Sequence, residues 1–285
     1  MRSGAALQGD RVLRAWHDNG VQVEEHISAL ERDGALLADA AATAGLTAEV
    51  PPCPGWQVGD LLRHLAYVHS WAATHVREQR EKLIDEASEA DILSGGPTDG
   101  ELFASYRDGH ADLVRTLREA DPGVKCATFL PAPSPLAFWA RRQAHETAIH
   151  RFDAQLAAAR AKATATDTAT ATPSPLDAFD PGFADDGVDE LVMGFAAGRR
   201  NTPNSTEQSL AIKATDTAGR WHIRIADGRR RVERGDHPAD CVLEGPAAGL
   251  YALLWNRADS AAAQVAAKGD PGILDIWGAS VRVRW

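Results

Sequence analysis

Cysteine is scarce in this chain: Cys53, Cys126 and Cys241 are the only three among 285 residues. They are widely spaced and odd in number, which excludes a disulfide scaffold and a Cys-x-x-Cys metal site and fits a reducing compartment. Long apolar runs are missing as well. No stretch of about 18 apolar residues occurs, so no membrane span is expected. The opening residues, "MRSGAALQGDRVLRAWHDNG", carry charges throughout and lack an apolar signal core, so the expected location is the cytoplasm. Positive charge is in deficit. The chain has 30 Lys and Arg against 40 Asp and Glu, a net charge of −10, which argues against nucleic acid as the main partner. Lysine itself is rare beside arginine, a bias that reflects a GC-rich genome more than a function.

What is present is mostly helical at first. "EEHISALERDGALLADAAATAGL" repeats apolar residues at spacings of three and four, so a long helix is expected there. "PPCPGW" breaks the chain, and "QVGDLLRHLAYVHSWAATHVREQR" follows as a second helix with Val58, Leu61, Leu62, Leu65, Val68 and Ala72 as its stripe. "ELFASYRDGHADLVRTLREA" is a third and "LAFWARRQAHETAIHRFDAQLAAARA" a fourth. Four amphipathic helices with turns between them read as a four-helix bundle over residues 1–160. The low-complexity stretch over 161–185 reads as a linker. Beyond it, over 186–285, "SLAIKATDTAGRWHIRIADGRRRVERG" alternates between turn signals and reads as hairpins, and "DCVLEGPAAGLYALLWNR" runs from a strand into a helix. The second part is thus a small α+β domain.

The fourth helix poses a puzzle. On a helical wheel Ile149, Arg142, Phe138 and Leu156 share the face that should enter a core, and Glu146, His150 and Asp153 fall within about 60° of it. Burying an ionised carboxylate costs several kcal/mol unless it is paired or bound to a metal. Glu146 and His150 stand at i and i+4, a spacing that places a carboxylate and an imidazole side by side. A third metal ligand would come from another helix, where His64, His69 and His75 are available; spacing alone does not choose among them. Arg142 or Arg151 could instead neutralise the carboxylate with no metal at all.

"CPGWQVGDLLRHL" and "HETAIHRFDAQ" together resemble the mycothiol-dependent maleylpyruvate isomerase family. That family pairs an N-terminal DinB-like metal-binding four-helix bundle with a C-terminal sterol-carrier-like domain. The first motif is carried by Pro54, Gly55, Trp56, Val58, Asp60, Leu61 and His64, and the second by His145, Glu146, His150, Arg151, Asp153 and Ala154. Gln155 stands where the family has a glutamate. The resemblance implies His64, Glu146 and His150 as the metal triad, and mycothiol, the low-molecular-weight thiol of actinobacteria, as cosubstrate. "LYALLWNR" matches a stretch of the accompanying domain, with Asn256 in place of a glycine, and points to Arg257 as a cation for a substrate carboxylate.

Two histidines and a glutamate leave an open position on zinc, the arrangement of a catalytic site. Such an ion lowers the pKa of bound water or of a bound thiol. Mn²⁺, Fe²⁺ and Ni²⁺ suit the same donors. Cys53, in the "CPGW" turn, reads as packing or capping, so the chain offers no persuasive nucleophilic cysteine of its own. Asp153 reads either as a carboxylate orienting a ligand imidazole or as the partner of an arginine on a neighbouring helix. Arg151 reads as structural, and Trp56 and Trp71 as core. The expectation is a metal- and mycothiol-dependent transferase or isomerase acting on a small electrophile. A thiol-independent hydrolase and a non-catalytic small-molecule-binding protein are the alternatives.

Overall fold

A computed structural model describes residues 22–85, 87, 89–165, 174–198, 207–281 and 283. Two compact units emerge, one within Met1–Thr172 and the other within Pro173–Arg284. The first holds α1 (Val23–Ala44), α2 (Val58–Arg77), the short α3 (Glu89–Ser94), α4 (Asp99–Glu119) and α5 (Pro135–Ala165). The four long helices are those expected from the periodicity, and α3 adds a turn and a half in a stretch that gave no helical signal. No described helix is long and apolar enough to cross a membrane.

Local chemistry sets the helix starts. The backbone N–H of Gln22 donates to Glu25 Oε2 at 2.7 Å and that of Gln57 to Asp60 Oδ2 at 2.9 Å, each closing a first turn with a carboxylate at the positive end of the helix dipole. Ser134 Oγ accepts from the Ala137 N–H, with Pro135 in the first helical position of α5. The apolar stripes then meet: Leu37, Val58, Leu61, Leu62, Leu65 and Leu102 are wholly enclosed. Gly34 lets α1 and α4 approach, since a Cβ there would lie 2.1 Å from His110 Nε2. That proximity lets His110 bond the Leu30 carbonyl at 3.0 Å and Tyr106 donate to the Gly34 carbonyl at 3.1 Å.

α5 is the central element. Every residue from 138 to 154 is buried, including Arg141, Arg142, Gln143, His145, Glu146 and Asp153. The wheel puzzle is thereby resolved differently from the sequence reading: along this stretch the helix has no solvent face, and its polar groups must be satisfied inside. Arg151 and Asp33, both with fully buried side chains, pair across α5 and α1 at 3.3 Å.

The linker boundaries of 161–185 do not match the elements. α5 continues through Ala165, and a 3₁₀ turn (Pro175–Ala178) and α6 (Pro181–Asp189) already belong to the second unit, so that unit begins earlier than residue 186. The stretch 166–173, "TDTATATP", lies outside the described residues. α6 passes into a π-helical segment, Glu190–Ala196. β1 (Gln208–Ala214), β2 (Arg220–Ala226) and β3 (Arg229–Arg234) form the two expected hairpins, with Ile212 opposite Trp221 and Ile223 opposite Val232. Asp227 and Gly228 turn the second hairpin with φ of 53° and 68°, the paired left-handed conformation that suits the twist of the flanking strands. β4 (Cys241–Gly245) returns to lie parallel to β1, α7 (Ala247–Leu254) follows, and β5 (Ala266–Gly269) completes a sheet of order β3-β2-β1-β4-β5 before α8 (Gly272–Ser280). Tyr251 of α7 meets the rings of Phe179 and Phe183, with centroids 5.0 and 6.4 Å away.

Candidate metal centre

Arg142, Glu146 and His150 occupy successive turns of α5, so their side chains stack along one line. Arg142 donates to Glu146 Oε2 at 3.0 Å. The other carboxylate oxygen, Oε1, faces His64 Nε2 of α2 at 3.0 Å and His150 Nε2 at 3.3 Å. One donor atom from each of His64, Glu146 and His150 lies within 4.8 Å of the others, and all three residues are buried. The two imidazole rings stand edge to face, 5.0 Å between centroids.

The second nitrogen of His150 is held from behind, with Nδ1 2.9 Å from Asp153 Oδ2. Burial acts to lower the basicity of His150, but the Asp153 and Glu146 carboxylates outweigh it and leave the imidazole more basic than usual. Burial likewise acts to raise the Glu146 pKa, yet the bonds from His150 and His64, with the charge of Arg142, hold the carboxyl well below the ordinary range.

The donors fit a divalent cation. Without a metal, a protonated His150 gives Nδ1–H to Asp153 Oδ2 at 2.9 Å and turns Nε2–H toward Glu146 Oε1 at 3.3 Å. A cation held by Nε2 and the carboxylate would take the place of that second proton. Two imidazole nitrogens and one carboxylate oxygen are the donor set of open zinc sites and also suit other first-row divalent ions.

The turn before α2 closes over this cluster. Gly55 has φ of 88°, a conformation that favours glycine, and the Trp56 N–H bonds the Cys53 carbonyl at 3.0 Å. The turn brings Trp56 nearly parallel to His150, with centroids 6.2 Å apart and planes 15° apart, and 5.2 Å from His64. It also lets Cys53 Sγ donate to Asp153 Oδ2 at 3.5 Å. The sequence reading took Trp56 for core and Cys53 for packing or capping; both do pack against the apolar core, and the contacts with His150 and Asp153 come in addition. The available signal was position: the turn immediately precedes the helix that carries His64.

The remaining candidates separate. His69 Nε2 lies 2.9 Å from Thr147 Oγ1, and His75 bonds the Trp71 carbonyl through Nδ1 at 2.7 Å while its Nε2 accepts from the Ile84 N–H at 3.0 Å. Of the three α2 histidines, only His64 reaches Glu146. Gln155 accepts from Arg151 at 2.6 Å. Arg257, half-buried in the second unit just past α7, donates to the Trp255 carbonyl at 2.9 Å. Asn256 before it has φ of 60° and donates to the Val281 carbonyl at 2.8 Å, so asparagine adopts the left-handed conformation that a glycine would take.

Residues 27–155 match the N-terminal domain of mycothiol maleylpyruvate isomerase, and residues 182–275 match the C-terminal domain of the same family. Two solved structures are similar in fold. One is a histidine-to-alanine mutant of the mycothiol-dependent maleylpyruvate isomerase, 14% identical, with a TM-score of 0.60 over 89% of this chain and 95% of that one. The other is the mycothiol-dependent maleylpyruvate isomerase, also 14% identical, with a TM-score of 0.56 over 85% and 92%. No curated protein is similar enough to match.

Proposed function

Because this chain belongs to the mycothiol maleylpyruvate isomerase family, we propose that it is a metal-dependent enzyme that adds mycothiol to a small electrophile, either to transfer the thiol or to isomerise the substrate's double bond. The observation that carries the reading is the convergence of His64, Glu146 and His150 within 4.8 Å in a buried site. These three residues would hold the metal, zinc foremost. When bound, the cation supplies a Lewis acid that keeps a thiol deprotonated at neutral pH.

The chain's own residues prepare that chemistry. Arg142 holds one Glu146 oxygen and so fixes the direction of the other. Asp153 holds the proton of His150 on Nδ1, which leaves Nε2 as the nitrogen that ligates. Trp56 covers the two imidazoles and excludes water from that side. Among the described residues no cysteine thiol belongs to the triad, and Cys53 is committed to Asp153; an external thiol as nucleophile is consistent with this. Arg257 is assigned to a substrate carboxylate on the strength of the "LLWNR" stretch, and Arg257→Ala should raise KM while leaving metal content unchanged.

The test is turnover of maleylpyruvate and of a panel of conjugated electrophiles by purified protein, with and without mycothiol, alongside a mycothiol-binding titration. Turnover that requires mycothiol is the expected result. Hydrolytic turnover with no thiol would move the protein to metal-dependent hydrolysis, and binding without turnover would make it a binding module.

A further inference from the structure

Gln143 lies one turn ahead of Glu146 and Thr147 on α5, and no part of it reaches solvent. At about 100° per residue it falls inside the arc bounded by Glu146 and Thr147, with His150 close beside it. All three of those side chains meet α2: Glu146 and His150 at His64, Thr147 at His69. Gln143 thus faces the same interior as the candidate metal centre, one layer further along. Among the described residues, neither its Nε2 nor its Oε1 has a hydrogen-bond partner, and the nearby His69 Nδ1 has none either. Leaving a buried polar group unsatisfied costs about 1–3 kcal/mol. A carboxamide open at both ends in a packed helix interior is therefore an expensive feature with no structural return.

We infer that Gln143 is a specificity-determining residue whose carboxamide N–H donates to the carbonyl oxygen of the electrophile. The inference rests on the thiol addition proposed above and narrows its substrate class to conjugated ketones and aldehydes. The surroundings favour a neutral carbonyl over a carboxylate. Glu146 carries negative charge one turn away, and Arg142, the adjacent cation, is already engaged with it. Thr147 is neutral, and burial together with the neighbouring His110 keeps His69 uncharged. A second carboxylate would meet repulsion here, whereas a carbonyl needs only a donor.

The electron count agrees. As the thiolate sulfur bonds to the β-carbon, the alkene π bond breaks and its electron pair moves through the α-carbon onto the carbonyl oxygen, giving an enolate. A fixed N–H aimed at that oxygen is worth more as its charge grows. Rotation about the new single bond and expulsion of the thiolate regenerate the isomerised alkene. In transfer, the proton shed by the thiol ends on the α-carbon.

The test compares metal-loaded wild type with Gln143→Met, which keeps the length of the side chain and removes both polar ends. Two probes, titrated with no thiol present, separate the chemistries: acetylpyruvate, with ketones and one carboxylate, and maleate, with two carboxylates and no ketone. Calorimetric titration of wild type should show acetylpyruvate binding. Gln143→Met should bind it at least tenfold more weakly, hold the same metal and melt no lower than wild type, because it loses no internal partner. Maleate should not distinguish the two proteins. Equal acetylpyruvate affinity in both, no acetylpyruvate binding by wild type, or a variant melting several degrees lower would each overturn the inference; the last would make the amide structural. Binding that depends on Gln143 in a protein without thiol-dependent turnover would uphold this inference and refute the proposed function. Mycothiol-dependent turnover with binding indifferent to Gln143 would do the opposite.

Discussion

Replacing Asp153 with asparagine removes one negative charge and almost no volume, at a position with no solvent exposure. Asp153 Oδ2 stands 2.9 Å from His150 Nδ1 and so decides which nitrogen of the ring carries the proton. Asparagine can turn its NH₂ toward Nδ1, which would place the proton on Nε2, the atom that faces Glu146. Loss of such an orienting partner lowers metal affinity by about 10–100-fold, or roughly 1.4–2.8 kcal/mol at tenfold per 1.4 kcal/mol. One charge-assisted hydrogen bond, worth about 1.5–3 kcal/mol, accounts for the same amount. The assay is competition for Zn²⁺ between demetallated protein and a chelating dye, with melting curves of both forms. The gap between metal-loaded and metal-free melting temperatures should shrink in the variant, since binding stabilises the fold in proportion to the logarithm of affinity. An affinity within twofold of wild type would refute the orienting role of Asp153.

Three further outcomes follow from the packing. Asp33→Asn leaves Arg151 as a buried cation without its carboxylate and should cost about 3–5 kcal/mol in urea unfolding; a loss under about 1 kcal/mol would mean that Arg151 is satisfied elsewhere. His69 and His110 have pKa values lowered chiefly by burial, so both stay neutral in the fold and take up protons on unfolding. Stability should be full above about pH 6.5 and fall as the pH drops below it, by up to about 1.4 kcal/mol per unit for each histidine; a flat melting temperature from pH 7 to 5 would contradict this. Asn256→Ala should cost about 2 kcal/mol through its left-handed backbone and its bond to the Val281 carbonyl, and Asn256→Gly less than about 1, because glycine removes the backbone strain. Equal losses in the two variants would leave only the hydrogen bond.

Much of the architecture was legible because its causes are local. Apolar residues at spacings of three and four, as in the stripe from Val58 to Ala72, mark the long helices before any contact is known, and the carboxylates that close the first turns of α1, α2 and α4 lie in the same local sequence. The hairpins of β1 to β3 follow from alternation and from Asp227-Gly228. What local pattern cannot carry is the return of β4 beside β1, or β5, whose four residues are all exposed and leave no alternation to read. α5 shows the limit most clearly. Its sequence mixes charged and apolar residues at every angle, and a wheel assigns such a helix a wet side. Only tertiary packing shows that residues 138–154 have none. The i,i+4 spacing of Glu146 and His150 was plain in the sequence. The choice of His64 over His69 and His75 came from family motif, since the wheel left all three open. The contacts of Trp56 and Cys53 depend on a turn that folds back over its own helix, and the open carboxamide of Gln143 is visible only when every neighbour is accounted for.

The central claim, that His64, Glu146 and His150 hold a metal on which thiol addition depends, is tested most directly by His150→Ala. Metal stoichiometry, melting temperature and mycothiol-dependent turnover would be read on the same preparations. Wild type should carry about one divalent metal per chain, and the variant, left with two of the three protein ligands an open zinc site requires, should lose both metal and turnover while still folding on its intact apolar core. A variant that keeps full metal occupancy would remove His150 from the triad, and one that loses the metal but keeps mycothiol-dependent turnover would contradict the mechanism.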